Sequence, residues 1–296
     1  MARLRRVTEQ LTSWLDEVLG AYSVAERLPS SSRKQGKGQR VRVVTDDGGR
    51  RWILKEVAVA QEWRAETYAY EHWVPTLAER VPILHAADEG LRALVLSEVR
   101  GRHPRASHEG FSRQAGALLR RLHDSCAPRT RSTERRHRAA ERLDRLLTQS
   151  RNVLGAGQLA FVREQGECLA QLPLDQEVPC HGDYRPHNWL VDDSQTLRVI
   201  DFGKAKREVA AWDLSKLFLR PWWNRPHLAV AFLEGYGRDL TAAEADYLQG
   251  RMAVDAVSHA AFGVTRGSDR HVRFGRKRLA DLMSGHRVVP LALRST

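Results

Sequence analysis

Residues 181–203, HGDYRPHNWLVDDSQTLRVIDFG, constrain this chain more than any other segment. Two short apolar runs, WLV and LRVI, flank the polar turn DDSQ, which is the pattern of a β-hairpin. A hairpin folds its far ends together, so Asn188 and Asp201 should meet at one end, with Asp183 just before them. The carboxylate oxygens of Asp183 and Asp201 and the amide oxygen of Asn188 are of the hard type that Mg²⁺ prefers. Phosphoryl transfer needs such a set, because one carboxylate orients the attacking hydroxyl while the other oxygens hold metal on the phosphates.

The order and spacing of these residues resemble the protein-kinase pattern H-R-D-x-x-x-x-N followed by D-F-G. The first motif is HGDYRPHN here, and Asp183 and Asp201 are 18 positions apart. Glycine in the arginine position resembles the aminoglycoside phosphotransferase/choline kinase family, whose loop is H-G-D-x-x-x-x-N. The resemblance implies that Asp183 is the catalytic base and that Asn188 and Asp201 bind Mg²⁺. The alternative is a chance HGD beside a chance DFG in a structural hairpin.

Arg185 stands two positions after Asp183, where many protein kinases have lysine. A guanidinium there would donate to the γ-phosphate and stabilise charge in the transition state. Arg185 is therefore a catalytic candidate beside Asp183. No A-P-E motif and no clear activation segment follow D-F-G, which argues against a protein substrate.

The resemblance extends to the nucleotide contacts. Lys55 lies in a β-rich run, as does the lysine of V-A-I-K, and by resemblance it neutralises the α and β phosphates. Glu66, in the sequence RAE, would fix Lys55, with Glu62 as the alternative partner. Residues 97–101 resemble the family's hinge, and backbone groups of Glu98 and Val99 there would hydrogen-bond the purine edge. Main-chain contacts of this kind do not separate ATP from GTP.

Residues 28–38 form a polar, basic, glycine-containing segment that leads into the predicted strand at 39–44. Such a loop is rich in backbone N–H groups and suits phosphate binding, with Ser31 and Ser32 as candidate contacts. The segment has no G-x-G-x-x-G motif. A solvated hairpin loop fits the same residues equally well.

The resemblance implies an α+β, bilobal, protein-kinase-like fold with Mg²⁺-nucleotide in the cleft between the lobes. Residues 1–97 would form the small lobe with an antiparallel sheet, and residues 98–296 the larger, mainly helical lobe. The hinge is expected at 97–101 and a helical insertion at about 128–178. Hydrophobic periodicity predicts the following elements: strands at 39–44, 51–57, 81–84 and 93–96, and helices at 1–20, 61–73, 111–123 and 156–172.

Several polar residues of the second lobe have two interpretations. Asp213 matches the aspartate of a D-L-A helix start, which braces the catalytic loop in the resembling family, but it also fits a helix N-cap. His123 is expected to be structural. Asp255 and His259 lie on a predicted helix that would line the acceptor site. The alternative for both is a core helix with its polar residues outward.

Composition excludes several classes of protein. No apolar stretch approaches membrane-spanning length, and the amphipathic N-terminus is not a signal peptide. Cys126, Cys168 and Cys180 match no zinc or disulfide spacing. The net charge is +12, which would attract nucleotide phosphates or nucleic acid. Nucleic acid is disfavoured because the excess charge is spread along the chain without an RNA-binding aromatic signature. We expect a cytoplasmic protein, where nucleoside triphosphate is available.

These observations together predict a kinase that moves the γ-phosphate of ATP or GTP to a hydroxyl of a small molecule. The resemblance implies that the acceptor is an antibiotic of the aminoglycoside or nucleoside type. The alternatives are a kinase of a small metabolite (choline, a sugar or an amino-acid-like compound) and a non-catalytic nucleotide-binding module. An aminoglycoside is polycationic whereas the chain is basic, so a neutral or anionic acceptor stays open. The sequence does not predict the oligomeric state.

Overall fold

The computed structural model describes residues 2–27, 40–104, 108–174 and 176–287. The chain divides into two compact units. The first unit comprises Met1–His103 and His187–Lys206, and the second comprises Pro104–Pro186 and Arg207–Thr296. The boundary expected at residue 97 remains a prediction. The packing units follow a different division, because the hairpin-containing segment belongs with the beginning of the chain.

The described helices and strands follow in chain order: α1 (Ala2–Leu19), β1 (Tyr22–Arg27), β2 (Arg40–Asp46), β3 (Arg51–Glu56), α2 (Ala60–His72), β4 (Leu84–Asp88), β5 (Ala93–Ser97), α3 (Glu109–His123), β6 (Arg129–Thr130), α4 (Thr133–Ser150), α5 (Ala156–Gln171), β7 (Gln176–Cys180), β8 (Trp189–Val191), β9 (Leu197–Val199), β10 (Lys206–Glu208), α6 (Ser215–Leu219), α7 (Pro226–Tyr236), α8 (Ala242–Arg266) and α9 (Asp269–Met283). Short 3₁₀ helices occupy Val74–Arg80, Pro186–Asn188 and Ala210–Leu214.

The first unit is built on a five-stranded antiparallel sheet in the order β1-β2-β3-β5-β4. Strands β2 and β3 are joined by a turn in which the Asp46 carboxylate accepts the Arg50 N–H at 2.8 Å. One face of the sheet packs against α1, whose Leu11 and Leu15 contact a core that includes Trp52 and Leu54. The four-residue spacing of these leucines places both on one face of the helix. The predicted helix at 1–20 is confirmed.

The central hairpin of the sequence is present in the first unit. Strands β8 and β9 pair antiparallel, with Trp189 opposite Val199 and Val191 opposite Leu197. Beyond the paired strands, Ile200 N–H donates to the Asn188 carbonyl oxygen at 3.0 Å. This bond closes the end of the hairpin at which Asn188 and Asp201 were expected to meet.

The second unit is mainly helical. Helix α3 packs along α7, and α8 packs along α9 and α5. A small sheet has the strand order β10-β7-β6. Helices α4 and α5 lie inside the predicted insertion at 128–178 and confirm its helical character. None of the described helices is long and apolar enough to cross a membrane.

Two strand assignments need correction. The predicted strand at 81–84 is wrong, since β4 begins only at Leu84. Pro82 lies in the predicted run, and a proline has no N–H to give to a strand ladder. Strand β1 was not predicted, because its sequence YSVAER shows no clear alternation. Its position is fixed by pairing with β2, with Val24 opposite Val44.

Candidate active site

Lys55 is the centre of a buried ionic cluster in the first unit. Strand β3 carries Lys55, and its ammonium lies 2.6 Å from Glu66 Oε1 and 2.8 Å from Asp201 Oδ1. Only 5% of Lys55 is exposed and Glu66 is fully buried. Burial alone would lower the pKa of Lys55, but the charges of Glu66 and Asp201 outweigh it and raise that pKa. Lys55 is therefore a permanent cation held by two carboxylates.

The structure decides which glutamate meets Lys55. Glu66 lies on the buried face of α2. Glu62, the alternative partner, forms an ion pair with Lys204 instead. One helical turn separates the two glutamates, so both lie on the same side of α2 but reach different cations.

Asp201 has an unusual backbone conformation. Its φ of +66° is in the left-handed region, which few residues other than glycine, asparagine and aspartate adopt. The next residue, Phe202, is fully buried and packs edge-on against Tyr70 with ring centroids 5.4 Å apart. Phe202 therefore anchors the segment, and the side chain of Asp201 stays one-third exposed. Backbone strain of this kind is concentrated at functional sites.

A cavity of about 810 Å³ lies beside this cluster, within the first unit. Its polar end includes Lys55, Asn188 and Asp201. Its walls are largely apolar and are formed by these side chains: Val41, Ile53, Leu96, Leu190 and Ile200. The volume and the mixture of apolar walls with a few convergent polar groups are typical of small-molecule sites.

Glu98 and Val99 line the same cavity, together with Gly101. The Glu98 carboxylate accepts two hydrogen bonds from Arg51, each 2.8 Å long, and one from Arg100 at 3.0 Å. The hydrogen bonds from Arg51 are the main cause of the lowered pKa of Glu98. The Glu98 side chain thus fixes residues 97–101 to strand β3. Among the described residues, no backbone hydrogen bond uses the Val99 N–H.

The remaining predicted nucleotide contacts, Ser31 and Ser32, lie outside the described residues. Their assignment stays a prediction. The five residues Lys55, Glu66, Glu98, Val99 and Asn188 all line the cavity, and Asp201 lies there as well. The structure therefore brings together the described members of the predicted nucleotide and metal set.

In the second unit, Asp213 braces the loop that carries Asp183. The Asp213 carboxylate accepts the backbone N–H of His181 at 2.8 Å and that of Gly182 at 2.7 Å. Gly182 has a φ of +78°, which a glycine adopts without strain. Asp213 lies inside a 3₁₀ helix rather than before it, so the bracing interpretation is correct and the N-cap interpretation is wrong.

His123 contacts the Asp213 carboxylate and helps to hold it in place. Its Nε2 lies 3.3 Å from Asp213 Oδ2, and its Nδ1 lies 2.8 Å from the Tyr236 hydroxyl. Burial opposes ionisation of Asp213, but the hydrogen bond from His123 and the backbone N–H of Gly182 lower its pKa below the usual range. The expected structural role of His123 fits these contacts. Helices α3 and α7 thereby support the loop that carries Asp183 through one histidine and one tyrosine.

Asp183 contacts two cations of its own unit. Arg185 Nε lies 2.9 Å from Asp183 Oδ1 as an ion pair, and Arg185 NH2 donates a hydrogen bond, 3.0 Å long, to Asp183 Oδ2. The ammonium of Lys216 lies 2.8 Å from Oδ1 and 2.7 Å from the Gly182 carbonyl oxygen. The side chain of Asp183 is 18% exposed. Its carboxylate is thus oriented by charge-assisted hydrogen bonds while it still reaches the surface.

Sequence reasoning did not find Lys216. It is 33 positions from Asp183 and has no motif of its own. The available signal was its place three residues after Asp213, on the short helix that begins at Ser215. A residue so close to a loop-bracing aspartate is a candidate for contact with the same loop.

The two acceptor-site candidates differ in environment. Asp255 is buried and its carboxylate lies 2.8 Å from Arg251 on the same helix, so the alternative with outward polar residues is wrong for Asp255. His259 is half-buried, and Arg220 NH2 lies 3.3 Å from its Nδ1. Burial and the neighbouring Arg220 lower the pKa of His259 to about 4. His259 is therefore a neutral imidazole at pH 7.

Several solved structures have similar folds but are distant in sequence. A "Macrolide 2'-phosphotransferase type I" is 19% identical with a TM-score of 0.58, covering 92% of this chain and 96% of that one. The GDP and kanamycin complex of "APH(2")-IIia" is 16% identical with a TM-score of 0.65, covering 93% and 98%. Choline kinase LicA from Streptococcus pneumoniae is 16% identical with a TM-score of 0.67, covering 93% and 99%. The fold is that of the protein-kinase-like phosphotransferases.

The sequence profile of the phosphotransferase enzyme family (APH) matches residues 33–248. The chain belongs to this family and is a small-molecule phosphotransferase. The resemblance found in the HGD and DFG motifs is confirmed. No curated protein matches the sequence.

Proposed function

We propose that this protein transfers the γ-phosphate of ATP or GTP to a hydroxyl group of a small molecule. The observation that carries the proposal is the Lys55–Glu66–Asp201 cluster at the polar end of the first unit's cavity. A permanently charged lysine there would bind the α and β phosphates, and the apolar walls would enclose the base. The backbone of Glu98 and Val99 would bind the purine edge.

Asp183 would act in the second unit as the base. The acceptor oxygen attacks the γ-phosphorus, its proton passes to the Asp183 carboxylate, and nucleoside diphosphate leaves with the electrons of the broken P–O bond. Arg185 and Lys216 support this role, since both hold the carboxylate by hydrogen bonds. Arg185 would also donate to the transferring phosphoryl group. An Arg185→Ala variant with unchanged kcat at saturating nucleotide would contradict the role of Arg185.

The donors of the first unit fit Mg²⁺. Asn188 and Asp201 offer an amide oxygen and carboxylate oxygens at one end of the cavity, and hard oxygen ligands are those that Mg²⁺ prefers. When bound, the ion would neutralise phosphate charge. Asn188 is 2% exposed, so its orientation is set by packing, and the partly exposed Asp201 would supply the main charge.

The acceptor we propose is an antibiotic of the aminoglycoside or nucleoside type. Support comes from similar structures whose titles name kanamycin, spectinomycin and macrolides. A metabolite is the second candidate, because the titles also name choline and ethanolamine kinases. The cytoplasmic location follows from the nucleoside triphosphate donor and stays a prediction.

The test is nucleotide turnover with Mg²⁺, using ATP and GTP against a panel of hydroxylated antibiotics and metabolites. Mass spectrometry detects one added phosphate on the acceptor. We expect a phosphorylated product with the wild-type protein and loss of product with Asp183→Asn, which keeps the shape of the side chain but removes the base. Tight binding of Mg²⁺-nucleotide without any turnover would favour the non-catalytic binding module. Absence of nucleotide binding would contradict the proposal.

A further inference from the structure

Basic groups extend from Asp183 along one face of helix α6. Lys216 contacts the Asp183 carboxylate, and Arg220 follows four positions later, directly after the helix. Residues four apart lie one helical turn from each other on the same face, with Cβ atoms about 5–6 Å apart. Arg220 is thus placed about one turn beyond Lys216, whose ammonium contacts the carboxylate that would accept the hydroxyl proton.

Arg220 itself has no acidic partner in the described part of the chain. No carboxylate oxygen there lies within 4.0 Å of its guanidinium nitrogens, the distance that defines an ion pair. Its guanidinium contacts the imidazole of His259 at 3.3 Å and lies over the ring of Phe274, 4.3 Å from the centroid. By contrast, Arg278, which also lies near Phe274, is paired with Asp281 at 3.3 Å. The charge of Arg220 is therefore not compensated by a neighbouring carboxylate.

Other positive charges surround Arg220. Burial, together with the charges of Arg185, Arg270 and Arg278, lowers the pKa of Arg220. Burial is the main cause of the lowered pKa of His259; the charges of Arg220 and Arg185 lower that pKa further, and Asp255 opposes them. A group of like charges is repulsive by itself, and an anion bound among them would relieve this repulsion.

We propose that Arg220 and His259, with Lys216 and Arg185 beside Asp183, bind an anionic group of the acceptor. The substrate class is then a hydroxyl compound that carries a carboxylate or phosphate about one helical turn from the reactive hydroxyl. A polycationic acceptor would meet repulsion at the same place, so among the acceptors proposed above this inference disfavours an aminoglycoside. This inference rests on the proposed function, because it uses Asp183 as the base and names the substrate class of that site.

The aromatic neighbours support a built site. Phe274 packs on Arg220 and lies edge-on to His259, with ring centroids 4.9 Å apart. One aromatic ring thus contacts both the planar guanidinium of Arg220 and the neutral imidazole of His259. A planar fork of donors is the arrangement that binds carboxylate and phosphate with two hydrogen bonds.

The experiment measures the binding of three sugars that differ in charge: glucuronate, glucose and glucosamine. Titration calorimetry is performed with Mg²⁺ and a non-hydrolysable nucleotide present, so that anions do not compete for the nucleotide cavity. Inorganic sulfate serves as a fourth probe without hydroxyl groups. We expect glucuronate to bind at least about tenfold more tightly than glucose, sulfate to bind, and glucosamine not to bind.

Variants locate the binding. Arg220→Gln should weaken glucuronate and sulfate binding by roughly tenfold to a hundredfold, the range for one lost hydrogen bond to a charged group, and Arg220→Lys should weaken it less. Arg276→Gln is the matched control: it removes one exposed arginine on the opposite side of α9 from Phe274 and should change nothing. Thermal unfolding confirms that each variant is folded.

Three results would overturn the inference: glucosamine binding as tightly as glucuronate, Arg220→Gln binding anions like the wild type, or no anion binding at tens of millimolar probe. Binding of Mg²⁺-nucleotide to the wild-type protein is measured first. Its absence would mean that the proposed function fails. Normal nucleotide binding with any of the three results would reject only the anionic acceptor.

Discussion

The two carboxylates that hold Lys55 differ in their surroundings, and the difference separates their roles. Glu66 is fully buried, so its charge is tolerable only while Lys55 is beside it. Asp201 lies at the cavity with its side chain one-third exposed. Glu66 therefore positions the lysine, whereas Asp201 also faces the space in which a ligand would bind.

Replacing Lys55 should affect stability and activity separately. Lys55→Met leaves Glu66 buried without its counter-ion, and removing one partner of a buried pair costs about 3–5 kcal/mol of unfolding free energy. The double variant Lys55→Met/Glu66→Gln removes both charges and should recover part of that loss. Neither variant should turn over nucleotide. Urea unfolding and product formation measure the two effects.

The outcome against this prediction is a double variant no more stable than Lys55→Met. That result would mean that the ion pair with Glu66 is not what stabilises the buried lysine. Recovery of phosphoryl transfer in the double variant would instead contradict the proposed phosphate-binding role of Lys55.

His259 should make the second unit less stable at low pH. Its pKa is about 4 in the folded protein and about 6.5 in the unfolded chain. Because the folded state binds the proton less readily, this contribution is present above pH 6.5 and is lost as the pH falls towards 4. The groups that act on His259 are Arg220, Asp255, His271 and Arg185.

The measurement compares urea unfolding of the wild type and His259→Gln at pH 7, 5.5 and 4.5. Carboxylates of the whole chain titrate in both proteins, so the difference between the two isolates the histidine. We expect the wild type to lose more stability than the variant over this range. Parallel pH curves would show that His259 does not gain a proton on unfolding.

At the scale of elements, the catalytic loop depends on how closely α3 and α7 approach. Their contact is made through two glycines: a Cβ at Gly116 would overlap the Phe232 carbonyl oxygen and lie 2.8 Å from Tyr236 N, and one at Gly235 would overlap the Arg113 carbonyl oxygen. The same helices carry His123 and Tyr236, which meet at 2.8 Å. The spacing of the helices therefore sets the support of Asp213.

Gly116→Ala should force the helices apart. We expect a loss of roughly 1–3 kcal/mol or more, as for other overpacked cores, together with lower turnover because the hydrogen bond from Tyr236 to His123 is disturbed. Gly157→Ala in α5 is the matched control: its Cβ would meet only Met283 Cε at 3.8 Å. Alanine there should stabilise the helix by about 0.5–1 kcal/mol.

Denaturant unfolding of both alanine variants measures whether each substitution lowers or raises the unfolding free energy. Equal effects at Gly116 and Gly157 would contradict the close-packing argument, because helix propensity alone favours alanine at both positions.

The elements also show which features a single sequence predicts. The hairpin of β8 and β9 and the helix α1 were predicted correctly. The hairpin is recognised from its short apolar runs and turn residues, and the helix from its hydrophobic periodicity. The predicted nucleotide contacts followed from motifs of fixed spacing. Lys216 and Arg220 were missed because their importance arises only from contacts across the chain, with Asp183 and with His259. Strand β1 was missed for the same reason, since its partner strand defines it.

For the whole molecule, the net charge of +12 has a local meaning. In the first unit, Lys55 is balanced by two carboxylates, so we expect nucleotide binding there to need a metal ion that neutralises phosphate charge. In the second unit, Arg220 has no such balance within the described residues. We therefore expect the partner to be decided by the uncompensated Arg220 rather than by the overall charge.

Nucleotide binding should stabilise the protein in a Mg²⁺-dependent way. A ligand that binds only the folded state at a hundred times its Kd adds about 2.7 kcal/mol to the unfolding free energy. We therefore expect ATP or GTP with Mg²⁺ to raise Tm, and the same nucleotide with EDTA to raise it much less. Asp201→Asn removes the carboxylate that would hold the ion. In this variant the additional rise of Tm caused by Mg²⁺ should be largely lost. Arg276→Gln, on the second unit's surface, should respond like the wild type. An equal rise of Tm with and without Mg²⁺ in the wild type would show that Asn188 and Asp201 do not form the metal site, even if nucleotide occupies the cavity.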